Sequence, residues 1–325
     1  MTLDASILAA LRESPWVSGA ELSARLGVTR AAIWARIEEL RSLGYQIEAS
    51  PHSGYRLLSS PDSLHGDDLR ARIGSIQVIG REIQVFQETS STSDILERLA
   101  RDGVREGVVV FAESQTRGRG RLGRQWVSPT GRGLWFSVLL RPSLRPQAVT
   151  RITVAAAVAL TRAIRRVVPL RPEIKWPNDI MLHGRKLAGV LTELSGELDS
   201  VRHVSLGIGM NVNLVESDFP PAVRSLATSL RLELGHAVDR PALAAALLRE
   251  LDRAYADVCA GRFAGLADEW SDQCTTLGKV VTVNLGAHRF VGRAEALDDE
   301  GALLVRTEHG RLERVIGGDV TLDKT

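Results

Sequence analysis

The chain has 325 residues, 44% of them hydrophobic and 25% charged, with a formal net charge of +2 at pH 7. At roughly 150 residues per domain this suffices for two or three self-contained cores, and it excludes a disulfide-stapled miniprotein, a disordered chain and a collagen-like repeat. No run of about 18 uninterrupted apolar residues occurs, and Asp4, Arg12 and Glu13 flank only a short amphipathic stretch at the start, unlike a secretory signal. A cytoplasmic location with no membrane partner is therefore expected.

Cys259 and Cys274 stand apart without metal-ligand spacing, the pattern of a buried, reduced pair. Lysine occurs only at positions 175, 186, 279 and 324, every other basic residue being arginine. Where lysine survives such a skew, a compact, flexible ammonium is a candidate requirement, and two of the four fall in one short stretch.

In chain order, Leu3, Ile7, Leu8 and Leu11 line one face of a first helix that ends at Ser14-Pro15. Ser18 and Glu21 form a reciprocal capping box for a second helix ending at Gly27. Thr29 caps a third, in which Ile33, Ile37 and Leu40 face the core and Arg30, Ala31, Trp34 and Arg41 face outward. Tyr45, Ile47 and Ala49 then alternate with polar residues, residues 51–54 turn, and Tyr55-Arg56-Leu57 return as a two-stranded wing. This is a winged helix-turn-helix over residues 1–62, closed by the polar segment Ser59-Ser60-Pro61-Asp62-Ser63 as a linker.

Such a unit reads DNA by placing its third helix in a major groove while the wing touches phosphate; a protein-binding or purely packing module has the same pattern. The candidate DNA contacts are Thr29, Arg30, Ala31, Trp34, Arg41, Ser53 and Arg56, with Arg36 and His52 able to share the face. Residues 1–62 carry six Arg against seven Asp and Glu, so phosphate neutralisation needs an asymmetric placement of charge.

Residues 63–272 read as an α+β unit: a helix from Asp67, strands near Gln84-Val85-Phe86 and Val108 to Ala112, and a helix begun by Thr92 or Ser93 and ended near Gly103. A long apolar helix runs from about Gln147 to Val168. Strands follow at Glu173 to Trp176, Ile180 to Leu182, Lys186 to Glu193 and Val204 to Val212, with a hairpin turn at His183-Gly184-Arg185. The expected architecture is a mixed sheet covered on one side by helices, with a last helix at about Pro241 to Ala260. Residues 273–325 then carry five short strands between glycine-bearing turns, a small β-barrel.

The segment Gly118-Arg119-Gly120-Arg121-Leu122-Gly123-Arg124-Gln125-Trp126 matches G-x-G-x-x-G literally. However, it is followed by Val127-Ser128-Pro129, which cannot continue a helix, and no acidic residue lies near position 143, so a dinucleotide fold fails. No Gly-Lys-Ser/Thr exists for a P-loop. What remains is a cationic loop in which Arg117, Arg119, Arg121 and Arg124 repel one another. It is expected to be disordered until a phosphate or carboxylate joins it; a solvated basic loop or an RNA-binding patch is the competing reading. Lys175 and Lys186 could converge on one pocket, where an ammonium among Trp176, Leu187 and Val190 would polarise a developing oxyanion. Gly207 and Gly209 in Gly207-Ile208-Gly209-Met210-Asn211-Val212-Asn213 permit close approach to a ligand. The seven histidines form no triad or zinc motif.

Taken in order, the glycine-arginine loop, Lys175-Trp176-Pro177-Asn178-Asp179, Lys186-Leu187-Ala188-Gly189-Val190 and the 207–213 segment closely resemble the biotin protein ligases. The winged helix in front resembles their bifunctional class, which also represses the biotin operon. The resemblance spans the chain and implies a biotin/lipoate ligase-like central sheet and an SH3-like C-terminal barrel. It implies that biotin and ATP give biotinyl-5′-AMP, that a lysine of the biotin carboxyl carrier protein of acetyl-CoA carboxylase accepts biotin, and that the adenylate serves as corepressor on operator DNA, bound by a homodimer. Mg²⁺ would travel with ATP and need no protein ligands.

By position, the resemblance assigns Ser91, Thr92, Ser93, Gln115, Arg119, Gly120, Arg121 and Lys186 to biotin. It assigns Arg121, Trp126, Lys175, Asn178 and Asn211 to ATP and the adenylate, and Lys186, Arg119 and Arg121 to catalysis. Two departures stand out: Ser93 replaces the usual Asn, and Arg117 occupies a position that is normally small. A biotin-sensing repressor without turnover and a lipoate ligase on the related fold are the alternatives.

Overall fold

The computed structural model describes residues 1–197, 199–286 and 288–322, so Lys324 lies outside the described residues. The first unit comprises α1 (Leu3–Glu13), α2 (Gly19–Leu26), α3 (Arg30–Ser42) and a hairpin of β1 (Gln46–Ser50) and β2 (Gly54–Ser59). The side chains of Thr2, Ser18 and Thr29 accept the backbone N–H groups of Ala5, Glu21 and Ala32, satisfying donors the first turn leaves open. The capping box at Ser18 is only half made: among the described residues no bond returns from the Glu21 carboxylate. Ile7, Leu8, Leu22, Ile33, Ile37, Leu40 and Tyr45 close the core. Val17 exchanges two backbone bonds with Tyr55 and so ties the wing to the start of α2.

The central unit adds, in order, α4 (Gly66–Ile73), β3 (Glu82–Thr89), α5 (Thr92–Arg101), β4 (Val108–Gln115), β5 (Gly133–Leu140) and α6 (Thr150–Val167). Then come β6 (Glu173–Lys175), β7 (Asp179–Leu182), β8 (Arg185–Gly196), β9 (Val201–Asn211), α7 (Leu230–Leu234), α8 (Arg240–Cys259) and α9 (Phe263–Gln273). The strands form one seven-stranded sheet in the order β3-β4-β5-β9-β8-β7-β6. Only β3 and β4 are parallel; every other pair is antiparallel. Strand β5 is absent from the sequence reading because all eight of its residues are buried, and a strand covered on both faces shows no alternation.

Both faces of this sheet are covered, which corrects the one-sided expectation. Val109, Phe111, Leu134, Phe136 and Val138 pack with α6 and α8 in the main core. The opposite side chains Val108, Val110 and Leu139 pack under Ile95, Leu96 and Ala100 of α5. Helix α6, though long and apolar enough to cross a membrane by length and composition, lies mostly buried in that core. The helix at Pro241 to Ala260 is not the last: in α9, Phe263, Leu266 and Trp270 are buried at i, i+3 and i+7, a helical signal the sequence did carry. Both cysteines are free thiols, and Cys259, at the end of α8, is exposed instead of buried.

The C-terminal unit is an antiparallel sheet of β10 (Val280–Leu285), β11 (His288–Leu297), β12 (Leu303–Thr307), β13 (Leu312–Val315) and β14 (Asp319–Leu322), ordered β13-β12-β11-β10-β14. Among the described residues β13 and β14 do not pair, so the ladder is open at that seam. Val281, Val283, Ala294 and Leu303 share the core of the central unit.

The linker is not free. Arg240, 2% exposed, donates Nε to Asp62 Oδ2 at 2.8 Å, Nη2 to the Asp62 carbonyl at 2.9 Å and Nη1 to Glu113 Oε2 at 2.7 Å. Glu113 Oε1 also accepts the N–H of Leu64 at 2.7 Å. Burial disfavours the Arg240 charge, yet bonding to Glu113 and Asp62 outweighs it and raises its pKa above the ordinary arginine value. Removing one partner of a buried pair strands the other's charge. Arg240→Met should therefore cost about 3–5 kcal/mol in urea unfolding, while Asp62→Asn, on the half-exposed partner, should cost far less. Equal losses in the two variants would show that the buried Glu113 contact is not the dominant one.

Candidate active site

The first turn of α5 meets the end of β4 on the sheet face opposite α6 and α8. Thr92 donates its backbone N–H to Gln115 Oε1 at 2.9 Å, its hydroxyl lies 2.8 Å from that of Ser137 on β5, and Ser93 Oγ lies 3.2 Å from the same Ser137 hydroxyl. Gln115 Nε2 donates to Ser128 Oγ at 3.0 Å. Ser91 holds the N-cap position of α5 but makes no capping bond. The result is a buried cluster of hydroxyls and one amide, able to donate and accept from fixed positions. Ser137 lay in the strand that the sequence did not reveal.

The glycine-arginine loop folds back on itself through Gly120 N–H to Arg124 O at 2.7 Å and Trp126 N–H to Gly118 O at 2.9 Å. At its tip Leu122 takes a positive φ of 55° and is exposed, a conformation that costs a branched side chain energy and that clusters at ligand clamps. The loop takes one defined conformation here, in which protein acids pair with two of its four arginines. Arg119 pairs with Asp94 of α5 at 2.8 Å and Glu193 of β8 at 3.3 Å, and Arg124 pairs with Asp319 of β14 at 2.7 Å. Arg121 donates to Asn178 Oδ1 at 3.1 Å and to the Gly318 carbonyl at 3.0 Å. Burial pushes its pKa below the usual arginine value against the pull of Asp179 and Asp319. Arg117 is exposed and makes no ion pair among the described residues.

Lys186 Nζ sits 2.5 Å from Asp179 Oδ1 and 5.3 Å from the centroid of the Trp126 ring. Its side chain is one-third exposed, so the ammonium is less buried than the sequence suggested. Its backbone is clamped by bonds to Leu226 and Thr228. Glu233 fixes Thr228 in turn; although burial opposes its charge, bonds from Thr228 and His183 and the charge of Arg185 hold its carboxyl below the ordinary range. Lys175 lines the same cleft with no carboxylate at ion-pair distance among the described residues. Asn178 and Asn211 also line it, each side-chain NH₂ donating one bond, to the carbonyls of Val190 and Thr228 respectively. Trp126 lies across Gly189 and Gly209: a Cβ at Gly209 would fall 2.5 Å from Trp126 Cε2. The glycines on β8 and β9 therefore exist, in this conformation, to seat an indole ring.

These groups line one cleft of about 430 Å³, the size range of sites for drug-sized ligands. Further walls come from Phe219, Pro220 and Val223, just beyond the 207–213 segment, and from Gly318 and Asp319 of the C-terminal unit. Among the described residues no three His, Cys, Asp or Glu side chains converge as a metal site.

On the winged helix Thr29, Arg30, Ala31, Trp34 and Ser53 are exposed. Most of the expected basic face is tied up internally: Arg41 bonds the Ile47 carbonyl and Glu38, Arg36 pairs with Asp4 and Glu39, and Arg56 pairs with Glu48 while lying over Trp16. Arg30 makes no ion pair among the described residues.

Comparison with known proteins agrees along the chain. Residues 5–56 match the HTH domain family, 85–211 the biotin/lipoate A/B protein ligase family and 276–323 the biotin protein ligase C-terminal domain. The bifunctional ligase/repressor BirA of Bacillus spizizenii is 36% identical over 95% of this chain and 94% of its own length. That of Escherichia coli is 29% identical over 99% and 97%. A biotin protein ligase from Aquifex aeolicus, solved in complex with biotin and ATP, superposes with a TM-score of 0.64 at 29% identity, covering 75% of this chain and all of its own. The glycine floor yields a direct test: Gly209→Ala should expel the Trp126 ring, raising its accessibility to acrylamide quenching relative to a Trp126→Phe background and costing about 1–3 kcal/mol of stability from overpacking. Unchanged quenching would refute the seating role.

Proposed function

This chain belongs to the biotin protein ligase family, and we propose that it activates biotin with ATP and transfers it to a lysine of the biotin carboxyl carrier protein of acetyl-CoA carboxylase, while its winged helix represses transcription at operator DNA. The observation that carries the reading is the convergence on one cleft of a hydroxyl-amide cluster, three loop arginines, an indole ring and a lysine ammonium. In the first step a biotin carboxylate oxygen attacks the α-phosphorus of ATP, forming the acyl–phosphate bond as pyrophosphate leaves. In the second, the acceptor amine attacks the acyl carbon, AMP leaves, and the ammonium proton is released to solvent. Both nucleophiles belong to substrates, so the chain has to gather two anions and stabilise charge on phosphate oxygens.

Thr92, Ser93 and Gln115, with Ser91 beside them, suit a urea-like ring that both donates and accepts. Arg119, Gly120 and Arg121 suit the carboxylate and phosphate, and Trp126 suits the adenine. Lys186 leaves Asp179 to meet the α-phosphate, and Lys175 adds charge at the nucleotide end. Mg²⁺ comes with the nucleotide as the counter-ion of its phosphates. The exposed row Thr29, Arg30, Ala31, Trp34 and Ser53 is the DNA-facing side, with operator binding by a homodimer formed when biotinyl-5′-AMP fills the cleft.

Pyrophosphate release on mixing with biotin and ATP tests the ligase; its absence would leave a biotin-sensing repressor, and a preference for lipoate would favour the related activity. Lys186→Ala should slow adenylate formation by the equivalent of about 2.7–4 kcal/mol, as for loss of an oxyanion donor; a near-wild-type rate would remove Lys186 from the chemistry. Arg30→Ala should weaken operator binding and reduce the slope of log K against log salt by about 0.9 with ligation intact, whereas an unchanged slope would take α3 out of the groove.

A further inference from the structure

A second cleft, of about 330 Å³, opens where the winged-helix unit docks on the central unit. Alanines of α1, α4 and α8 form its floor, and Arg12, Arg72, Arg249 and Glu13 stand around it. It lies outside the ligase cleft and shares no lining residue with it.

Its charge is not balanced. One buried carboxylate, Asp68, serves two of the guanidiniums, pairing with Arg12 through Oδ1 and with Arg72 through Oδ2. The next acid near Arg72, Asp239, lies at 3.8 Å, and Glu13 is engaged by Arg25 at 2.9 Å. Arg249 has only a backbone partner, donating Nη1 to the Arg72 carbonyl at 2.7 Å; among the described residues it has no carboxylate at ion-pair distance. Its neighbour Glu250 is occupied by Arg166 and Arg253. Burial and those two like charges push the Arg249 pKa below the usual arginine value, and burial does the same to Arg12. An incoming anion would relieve both penalties.

We propose that this cleft binds a small multivalent oxyanion, a compound bearing a di- or triphosphate or clustered carboxylates, through Arg249, Arg12 and Arg72. Guanidinium forks match phosphate and carboxylate geometry in paired bonds, and an alanine floor leaves room that longer side chains would fill. Because the walls come from α1 on one side and from α4 and α8 on the other, an occupant joins the DNA-reading unit to the ligase unit.

The test is calorimetric titration of the full chain with inorganic tripolyphosphate and, in a parallel arm, with citrate, which separates phosphate from carboxylate chemistry. The expected result is a one-to-one event in at least one arm. Arg249→Ala should weaken it roughly tenfold or more, as expected for loss of a charged hydrogen-bonding partner. Ala242→Leu, which fills the floor without touching charge, should abolish it, and Arg119→Ala should leave it intact. Biotin-dependent pyrophosphate release retained by Arg249→Ala shows that the variant is folded. Binding lost in Arg119→Ala but kept in Arg249→Ala would place the anion in the ligase cleft and overturn the proposal. So would binding that follows total ionic strength and ignores all three substitutions.

Discussion

The structure depends on how a cluster of fixed positive charge is kept close enough together to be useful. Three loop arginines and Lys186 converge on a cleft with partly dry walls, where mutual repulsion is screened poorly. Carboxylates from four separate elements offset it: Asp94 from α5, Glu193 from β8, Asp179 from β7 and Asp319 from β14. These acids already hold the cations in place, so under the proposed function binding of a phosphate or carboxylate would be an exchange of counter-ions. An exchange avoids most of the cost of gathering the cations at the moment of reaction, which is the sense in which a preorganised site differs from water.

The same exchange explains why the loop touches the C-terminal unit. Arg121 and Arg124 reach Gly318 and Asp319, so the far wall of the nucleotide end is built from the last strand of the chain. A unit that is a small accessory sheet by its size shares both the main core and the site. Closure of the loop and the docking of that sheet are then parts of one arrangement, and water exclusion from a labile mixed anhydride follows from it.

Much of this was legible in the sequence where physics is local. Caps at Ser18 and Thr29, the αL glycine at 27 and the i, i+4, i+7 row of Ile33, Ile37 and Leu40 each need only a few neighbouring residues to be recognised. Strand β5 was not legible, because burial on both faces erases alternation, and with it went Ser137, which joins Thr92 to Ser93. Counter-ions were invisible for a different reason: Asp94, Glu193 and Asp319 are ordinary acids in sequence and acquire meaning only when folding brings them to arginines 25 to 200 positions away. In the glycine-arginine loop the repulsion among the arginines could be counted from the sequence, and its compensation could not be. The basic face of the winged helix was overcounted in the same way, Arg36, Arg41 and Arg56 having nearby acids or carbonyls to satisfy.

One of the links between the winged-helix unit and the central unit is a buried guanidinium. Arg240 begins α8 and holds Asp62 of the linker with one side of its fork and Glu113 with the other. Glu113 lies on β4 two residues before Gln115, and Arg240 also bonds the carbonyl of Gly133, where β5 starts beside β9, the strand that carries Gly209 of the glycine floor under Trp126. The Glu113 side of this pairing is buried and the Asp62 side half-exposed, so a shift of β4 would act first on the Arg240–Glu113 contact, where distance matters most. The linker that positions the winged helix is thereby anchored to the two strands that carry the hydroxyl-amide cluster. A physical route thus exists for occupancy of the cleft to alter how the DNA-reading unit is held, whichever of the two equilibria is perturbed first.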